Sequence, residues 1–475
     1  MTPFVAALPL AVPGLALLAT ALCRRPKAVY SVAWAALLAL WLLALAVLLR
    51  PPVGWDGLAR WYNLLVLVLG GLSLAVSIQY IATERAQGAI TDAAVRRYFL
   101  WFEAFIGCLL AVGCLTNYLG IWAAVEGTTL TSILLVAFDG GPHPLEAAWK
   151  YLVVTGIGGL LALIGTVLTL HGAHLSAGAW TLATPVRAAA PADRVAVELG
   201  FILALVGFGS KAGLVPFHTW LPDAHSEAPA PVSAALSGIK LVGGLYALLR
   251  MAAVATRAIG PAWPHTLLII TGILSLGIAA AAVPGQRDLK RMFAYSSIEH
   301  MGVIALGAGF GGIGLLGALL HMWTHGFGKS ALFYGAGNVR LRYGATGGTG
   351  VRGIIADMPL SGSALVLGAI AIVGLPPFGL FWSEWLVLLG GVQSHHVVWV
   401  CVALVFLVVN FLGFGLRLPR LLLGPRAAGA ATAEPGGAIG PLAAAMAGVL
   451  VVGLALPGAW HGTWVAAARV LGGGA

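Results

Sequence analysis

The chain has 475 residues, of which 60% are hydrophobic and only 9% charged, with a formal net charge of +10. That balance lies outside the range of soluble domains and describes a helical protein that crosses a membrane repeatedly. The positive charge does not point to nucleic acid, because the basic residues sit in short loops between apolar segments, where membrane-orientation signals belong.

Cys23, Cys108, Cys114 and Cys401 lie in or beside apolar segments without a CxxC or His/Cys cluster, so no metal, cofactor or redox group is expected on the chain itself. The N-terminus is apolar from Pro3 to Leu22 and lacks a basic leading region, so it reads as a first span rather than a removed signal peptide. Apolar segments of about 20 residues then recur at 28–50, 61–82, 98–115, 117–138, 149–171, 195–217, 230–254, 264–283, 289–309, 313–339, 360–389, 397–417 and 438–458. With 3–23 these make fourteen expected spans, an all-α polytopic fold with both termini on one side. Loops after odd-numbered spans hold sixteen Lys and Arg residues, Arg426 among them, and the alternate loops hold seven; three lysines fall within spans. The positive-inside rule then places both termini outside the cell membrane.

The seventh and twelfth spans are interrupted by Gly and Pro, in KAGLVPFHTW (211–220) and GLPPFGLFWSEW (374–385), and a polar loop is expected after the first interruption. A proline kink in a packed helix is the plain explanation of one such break. Two breaks five spans apart run in opposite directions, which is the pattern of inverted repeats around an ion path. The expected organisation is an N-terminal three-helix region (1–97), a first inverted half of spans 4–8 (98–255), a second of spans 9–13 (256–417), and a C-terminal helix with tail (418–475).

Few titratable groups fall inside these spans, and each is costly there, which makes a functional role the default expectation. Glu126 lies nine residues into the fifth span, roughly 13–14 Å deep at 1.5 Å per residue. Lys211 reaches similar depth, and the two are expected to form an ion pair, which a purely structural role would also explain. Lys240, ten residues into the eighth span, has no carboxylate near it in sequence and suits a group that gains and loses a proton. His321, His325 and Lys329 recur every fourth residue and share one helical stripe. Two histidines at that spacing can also hold zinc, but no third ligand accompanies them in sequence, so no metal is expected. Glu384 follows the second break near the outer side, where an interfacial glutamate is the plain alternative. Glu103, His218, Glu299 and His300 are further titratable candidates. Acid, lysines, histidines and acid at membrane depth together form a candidate proton pathway.

KAGLVPFHTWLPDAHSEAPAPVSA, DLKRMFAYSSIEHMG, HMWTHGFGKSALF and GLPPFGLFWSEW carry a family resemblance across roughly residues 60–420. They resemble the proton-conducting, antiporter-like membrane subunits of respiratory complex I, membrane-bound [NiFe] hydrogenases and Mrp antiporters, with AHSEAPAPVSA and SSIEHMG most similar to hydrogenase-4 component F-type subunits. The resemblance implies fourteen helices with two inverted five-helix halves, a gating pair at Glu126 and Lys211, a relay through His321 and His325, and an acidic terminus at Glu384. It implies membrane and peripheral partner subunits of a [NiFe]-hydrogenase-like redox complex, protons or Na⁺ as the moving ion, and no redox site on this chain. Other members of the family serve Mrp antiporters, inorganic-carbon uptake or complex I, and a non-conducting scaffold is the reading from outside that class. The family's eighth-span lysine aligns with Val242, two residues after Lys240. Two residues turn a helical side chain by about 200°, so Lys240, although counted in the pathway, is the lysine whose direction the register leaves open. After the last expected span, no long lateral helix of the kind some members append is expected.

Overall fold

In the computed structural model the described residues are 8–50, 52–175, 180–348, 350–424, 434, 439–454 and 458–472. Residues 3–7 of the first expected span, 438 and 455–457 of the last, and Arg426 lie outside them. Helices run in the order α1 (Ala11–Leu22), α2 (Pro26–Leu49), α3 (Gly57–Ala86), α4 (Asp92–Cys114), α5 (Tyr118–Val136), α6 (Pro142–Gly172), α7 (Arg194–Ala212), α8 (Trp220–Glu227) and α9 (Ala230–Ala235). After a π turn (Leu236–Lys240) come α10 (Leu241–Ile259), α11 (Ala262–Ala282), α12 (Leu289–Phe310), α13 (Gly312–Tyr343), α14 (Ile354–Asp357), α15 (Pro359–Ile372), α16 (Gly379–Gln393), α17 (Val397–Leu422), α18 (Ile439–Leu454) and α19 (Gly458–Val470). Extended pairing among the described residues amounts to two isolated bridges. The all-helical expectation therefore holds. Nine helical stretches among the described residues are long and apolar enough to cross a membrane, and α1, α15 and α18 are shorter apolar helices.

The helices start where the sequence supplies caps. Asp56, Thr91, Asn117 and Asp288 accept from the first free amides of α3, α4, α5 and α12, satisfying donors that have no partner inside the helix. The most apolar window of the stretch from α9 through α10 is 100% buried, against 28% for α17, so the helix carrying Lys240 is central and α17 faces outward.

The loops sort to two ends. At one end Asp139 pairs with Arg340, and Asp223 with both Lys150 and Arg291. At the other, Asp56 pairs with Arg250, Ala189 N–H donates to the Ala258 carbonyl, and Arg257 donates to the Val470 carbonyl. The grouping follows the alternation of loops in the sequence.

The two breaks share one construction. Gly213-Leu214-Val215-Pro216-Phe217 and Gly374-Leu375-Pro376-Pro377-Phe378 each open with a left-handed glycine, at φ +73° and +72°. In each, the leucine amide reaches back five residues, Leu214 to the Gly209 carbonyl and Leu375 to that of Ile370, while the phenylalanine amide bonds the leucine carbonyl. That back-bonded ending satisfies the last carbonyls of α7 and α15. The amides and carbonyls freed by the first break find partners as well. Val215 N–H donates to Ser275 Oγ at 3.1 Å, and Trp220 Nε1 donates to the Ser210 carbonyl at 2.9 Å. Broken helices at membrane depth need such internal satisfaction.

Two expectations are corrected. The stretch after the first break is not a loop but α8, whose Trp220, Leu221, Ala224 and His225 are buried and whose last carbonyls accept from the buried Lys290. Eight residues are too few for helical periodicity to show through Pro222, Asp223 and His225. Beyond the last expected span lies a further helix, α19, packed so closely on α3 that a Cβ at Gly57 would meet the Ala466 backbone at 2.4 Å.

Arg250 grips Asp56 with both guanidinium nitrogens, at 2.5 and 2.7 Å, tying the start of α3 to α10. Burial pushes the Asp56 carboxyl up, but the Arg250 hydrogen bonds and charge outweigh it and hold the group below the ordinary aspartate value. Its contribution is therefore present above the unfolded pKa and is lost as pH falls through the lowered one. Asp56→Asn is expected to remove about 2–3 kcal/mol, read as a lower thermal midpoint of the detergent-solubilised protein, with the difference from wild type shrinking in acid.

Candidate functional site

The interior holds a row of titratable side chains across α5, α7, the π turn, α12, α13 and α16. At one end, Lys211 Nζ lies 2.9 Å from Glu126 Oε2 and 3.2 Å from Thr129 Oγ1. The lysine side chain is fully buried and the glutamate 22% exposed. Lys211 ends α7 where the left-handed Gly213 stops it, so the break aims the ammonium across at α5. Glu126 is held there by α6, whose Gly159 leaves no spare room: a Cβ at that position would fall 2.0 Å from Glu126 Oε1. Backbone and carboxylate pack this closely only because glycine lacks a side chain.

Lys240, whose direction the sequence leaves open, points toward Lys211. Its Nζ donates to the Lys211 main-chain carbonyl at 3.1 Å and sits 4.2 Å above the Trp220 ring and 4.9 Å from that of Tyr151. The physical reason is the π turn, in which the Leu241 amide bonds the carbonyl of Leu236, five residues back. A turn closed five residues back rotates the chain less per residue than an α-helix does, and this shifts the register assumed for a regular helix. Two aromatic faces and a carbonyl surround the ammonium, the environment in which a cation–π contact contributes most.

The same π turn leads to the histidines. The Ser237 carbonyl lies 3.3 Å from His325 Nε2, and Ser237 Oγ lies 2.8 Å from Ser297 Oγ on α12. A Cβ at Gly238 would meet the Gly326 carbonyl at 3.1 Å, so α13 and the π turn touch backbone to backbone beside His325. The His325 ring lies 5.1 Å from that of His300, tilted by 55°, and His300 Nδ1 lies 3.0 Å from His321 Nε2. His321 Nδ1 is in turn 2.9 Å from Ser383 Oγ, next to Glu384. Lys329, one turn beyond His325, donates to the Phe293 carbonyl at 2.6 Å and to Ser296 Oγ on α12.

The tautomers along this row follow from the serine. Ser383 Oγ donates to the Leu380 carbonyl, so it accepts from His321 Nδ1–H, leaving His321 Nε2 with a lone pair that accepts from His300 Nδ1–H. An unbroken hydrogen-bonded run then links Ser383, His321 and His300. Such a run can move a proton by successive transfers and tautomer changes.

Glu126, Lys211, Lys240, His321, His325, Lys329, Glu384, Glu299 and His300 are thus gathered around one interior row, with Glu299 beside His300 on α12 within electrostatic reach of Lys329 and Glu384. Glu103 is not part of it: it accepts from Thr20 on α1 at 3.0 Å, on the far side of α4. His218 sits half-exposed at the first break. Sequence reasoning missed His225 on α8, fully buried and stacked 5.2 Å from Phe333, and the polar links Ser237, Ser297 and Ser383. His225 lay inside a quoted motif, and its burial beside a break was the available signal; the serines carried none.

Residues 116–410 match the family described as NADH:quinone oxidoreductase/Mrp antiporter, TM. The chain is similar to a hydrogenase-4 component F homolog of Methylacidiphilum infernorum, 38% identical over 354 residues that cover 72% of this chain and 73% of that one. It is also similar to NADH-quinone oxidoreductase subunit N of Desulforudis audaxviator, 34% identical over 74% of this chain and 68% of that one. Its fold is that of a chain in the membrane-bound sulfane sulfur reductase, an archaeal respiratory membrane complex (TM-score 0.84, 23% identity, 99% and 98% covered). The Mrp complex of a Dietzia species also contains this fold (TM-score 0.80, 19% identity, 98% and 96% covered).

Removing one partner of the Glu126–Lys211 pair strands a buried charge. Glu126→Ala is expected to cost about 3–5 kcal/mol, and the double substitution Glu126→Gln with Lys211→Met distinctly less. Thermal midpoints of the single and double variants in detergent check this; equal midpoints for the two would show that the pair is not coupled.

Proposed function

Because the chain belongs to the NADH:quinone oxidoreductase/Mrp antiporter transmembrane family, we propose that it is a proton-translocating, antiporter-like subunit of a multi-subunit membrane complex. The observation that carries the proposal is the pair Glu126–Lys211 joined through Lys240 and the π turn to a histidine row that ends at Glu384. We assign the complex to the hydrogenase-4 type, in keeping with the component F homolog, with electron chemistry residing in partner subunits.

In this reading the protein sits in the cell membrane with both termini outside and the end bearing Asp223 and Arg291 in the cytoplasm, an orientation that the basic loops support. Residues 98–255 and 256–417 form inverted halves, and the repeated Gly-Leu-x-Pro-Phe breaks support that division. Protons reach Lys211 from the cytoplasmic side of the first break. Separating Glu126 from Lys211 leaves an ammonium without its anion in an apolar interior and favours passing its proton toward Lys240; re-forming the pair favours reloading. Water or side-chain rotation spans the gap from Lys240 to His325, and the proton leaves through His300, His321 and Glu384.

Two substitutions test the reading in membrane vesicles that carry the assembled complex, with a pH-sensitive dye as readout. Lys211→Ala is expected to abolish proton translocation while co-purification of partner subunits persists; undiminished pumping would overturn the proposal. Gly159→Ala, which forces the Glu126 carboxylate aside without changing any charge, is expected to slow translocation about tenfold, equivalent to ~1.4 kcal/mol on the barrier. Gly156→Ala, whose Cβ would meet nothing within 4 Å, is the matched control on the same helix. Transport that follows sodium and needs no redox partner would instead select an Mrp-type antiporter.

A further inference from the structure

The histidines at i and i+4 on α13 lack a third metal ligand in sequence, but the fold brings two other candidates, His300 and Glu384, to one of them, His321. One ligand atom from each of His300, His321 and Glu384 lies within 4.8 Å of the others, contributed by α12, α13 and α16. We propose that these three residues form a binding site for a divalent transition cation of the zinc type.

Four features carry the inference. His300 Nδ1 and His321 Nε2 are 3.0 Å apart, close to the ~3.3 Å between ligand atoms in a tetrahedral site with Zn–N bonds of about 2.0–2.1 Å. The Ser383 hydroxyl accepts from His321 Nδ1–H and so leaves Nε2 bare, the outer-shell arrangement that orients a metal-ligating histidine. His300 is fully buried, and its other ring nitrogen, Nε2, has no hydrogen-bond partner, so it is free to take the ring's hydrogen when Nδ1 binds an ion. Glu384 is half-buried behind the second break, where a Cβ on Gly374 would meet its Oε2 at 2.2 Å; it is the member of the set open to arriving ions. Two imidazoles and one carboxylate, with a fourth position left to water, suit zinc, cobalt or nickel better than the oxygen-seeking magnesium or calcium.

Binding needs a tautomer change at His300 and no net loss of a proton from the two rings. The hydrogen on His300 Nδ1 moves to the unpartnered Nε2, and the cation takes its former place between His300 Nδ1 and His321 Nε2, forming a metal–nitrogen bond at each neutral ring. The bound ion then occupies the step through which the proposed pathway leaves, so occupancy stops translocation. The site itself rests on geometry alone; the inhibition rests also on the proposed function.

The test uses the full-length chain in detergent micelles with Co²⁺ as a spectroscopic probe, and Zn²⁺ retained after dialysis as the stoichiometric measure. One equivalent with the intense visible absorption of tetrahedral Co²⁺ is expected. His321→Asn and Glu384→Gln should each weaken binding at least tenfold, and Ser383→Ala by about 10–100-fold as a positioning residue. His143→Ala, an exposed histidine at the start of α6, should leave binding unchanged. Binding that is absent, or insensitive to all three site substitutions, overturns the proposal. In vesicles, Zn²⁺ should halt proton movement reversibly, with chelator restoring it. Site-specific binding without any inhibition keeps the cation site and instead overturns the route assigned to protons.

Discussion

The arrangement depends on how one residue is used twice. Lys211 offers its ammonium to Glu126 and its main-chain carbonyl to Lys240. That carbonyl is available because α7 stops two residues later at Gly213, so the break is the condition for two buried lysines to meet. A continuous helix would have spent the carbonyl on its own ladder. One carboxylate, one carbonyl and two aromatic faces then serve two amines in an apolar interior. Such an assembly has a strong dependence on which amine holds the proton.

How much of this was legible in the sequence follows from the rarity of each signal. Charged residues inside apolar segments are few, so Glu126, Lys211, His321, His325 and Glu384 stood out, and the pairing of the first two was readable from matched depth. The segment pattern and the paired breaks were equally visible, because Gly and Pro punctuate helices wherever they occur. The family resemblance points to the same residues.

What stayed hidden was short-range geometry and assembly across helices. The direction of Lys240 stayed open because counting assumes a regular helix, and nothing in LSGIK announces a π turn. The serines that tie the row together are common residues with no periodicity. The grouping of His300, His321 and Glu384 joins three helices separated by up to 84 positions in the chain, which no spacing rule anticipates. The serine hydroxyl that decides the histidine tautomers became identifiable only once Ser383 was seen to donate elsewhere.

Gly159 has a mechanical corollary. The carboxylate of Glu126 leans on the bare backbone of α6, while Ile157 and Leu160 of the same helix point outward. Displacing α6 toward α5 would press its main chain against the carboxylate, with no side chain at Gly159 to yield first. The charge pair therefore responds directly to the position of a helix on the protein's rim. Whatever presses on that rim, lipid or neighbouring subunit, has a direct lever on the innermost ions.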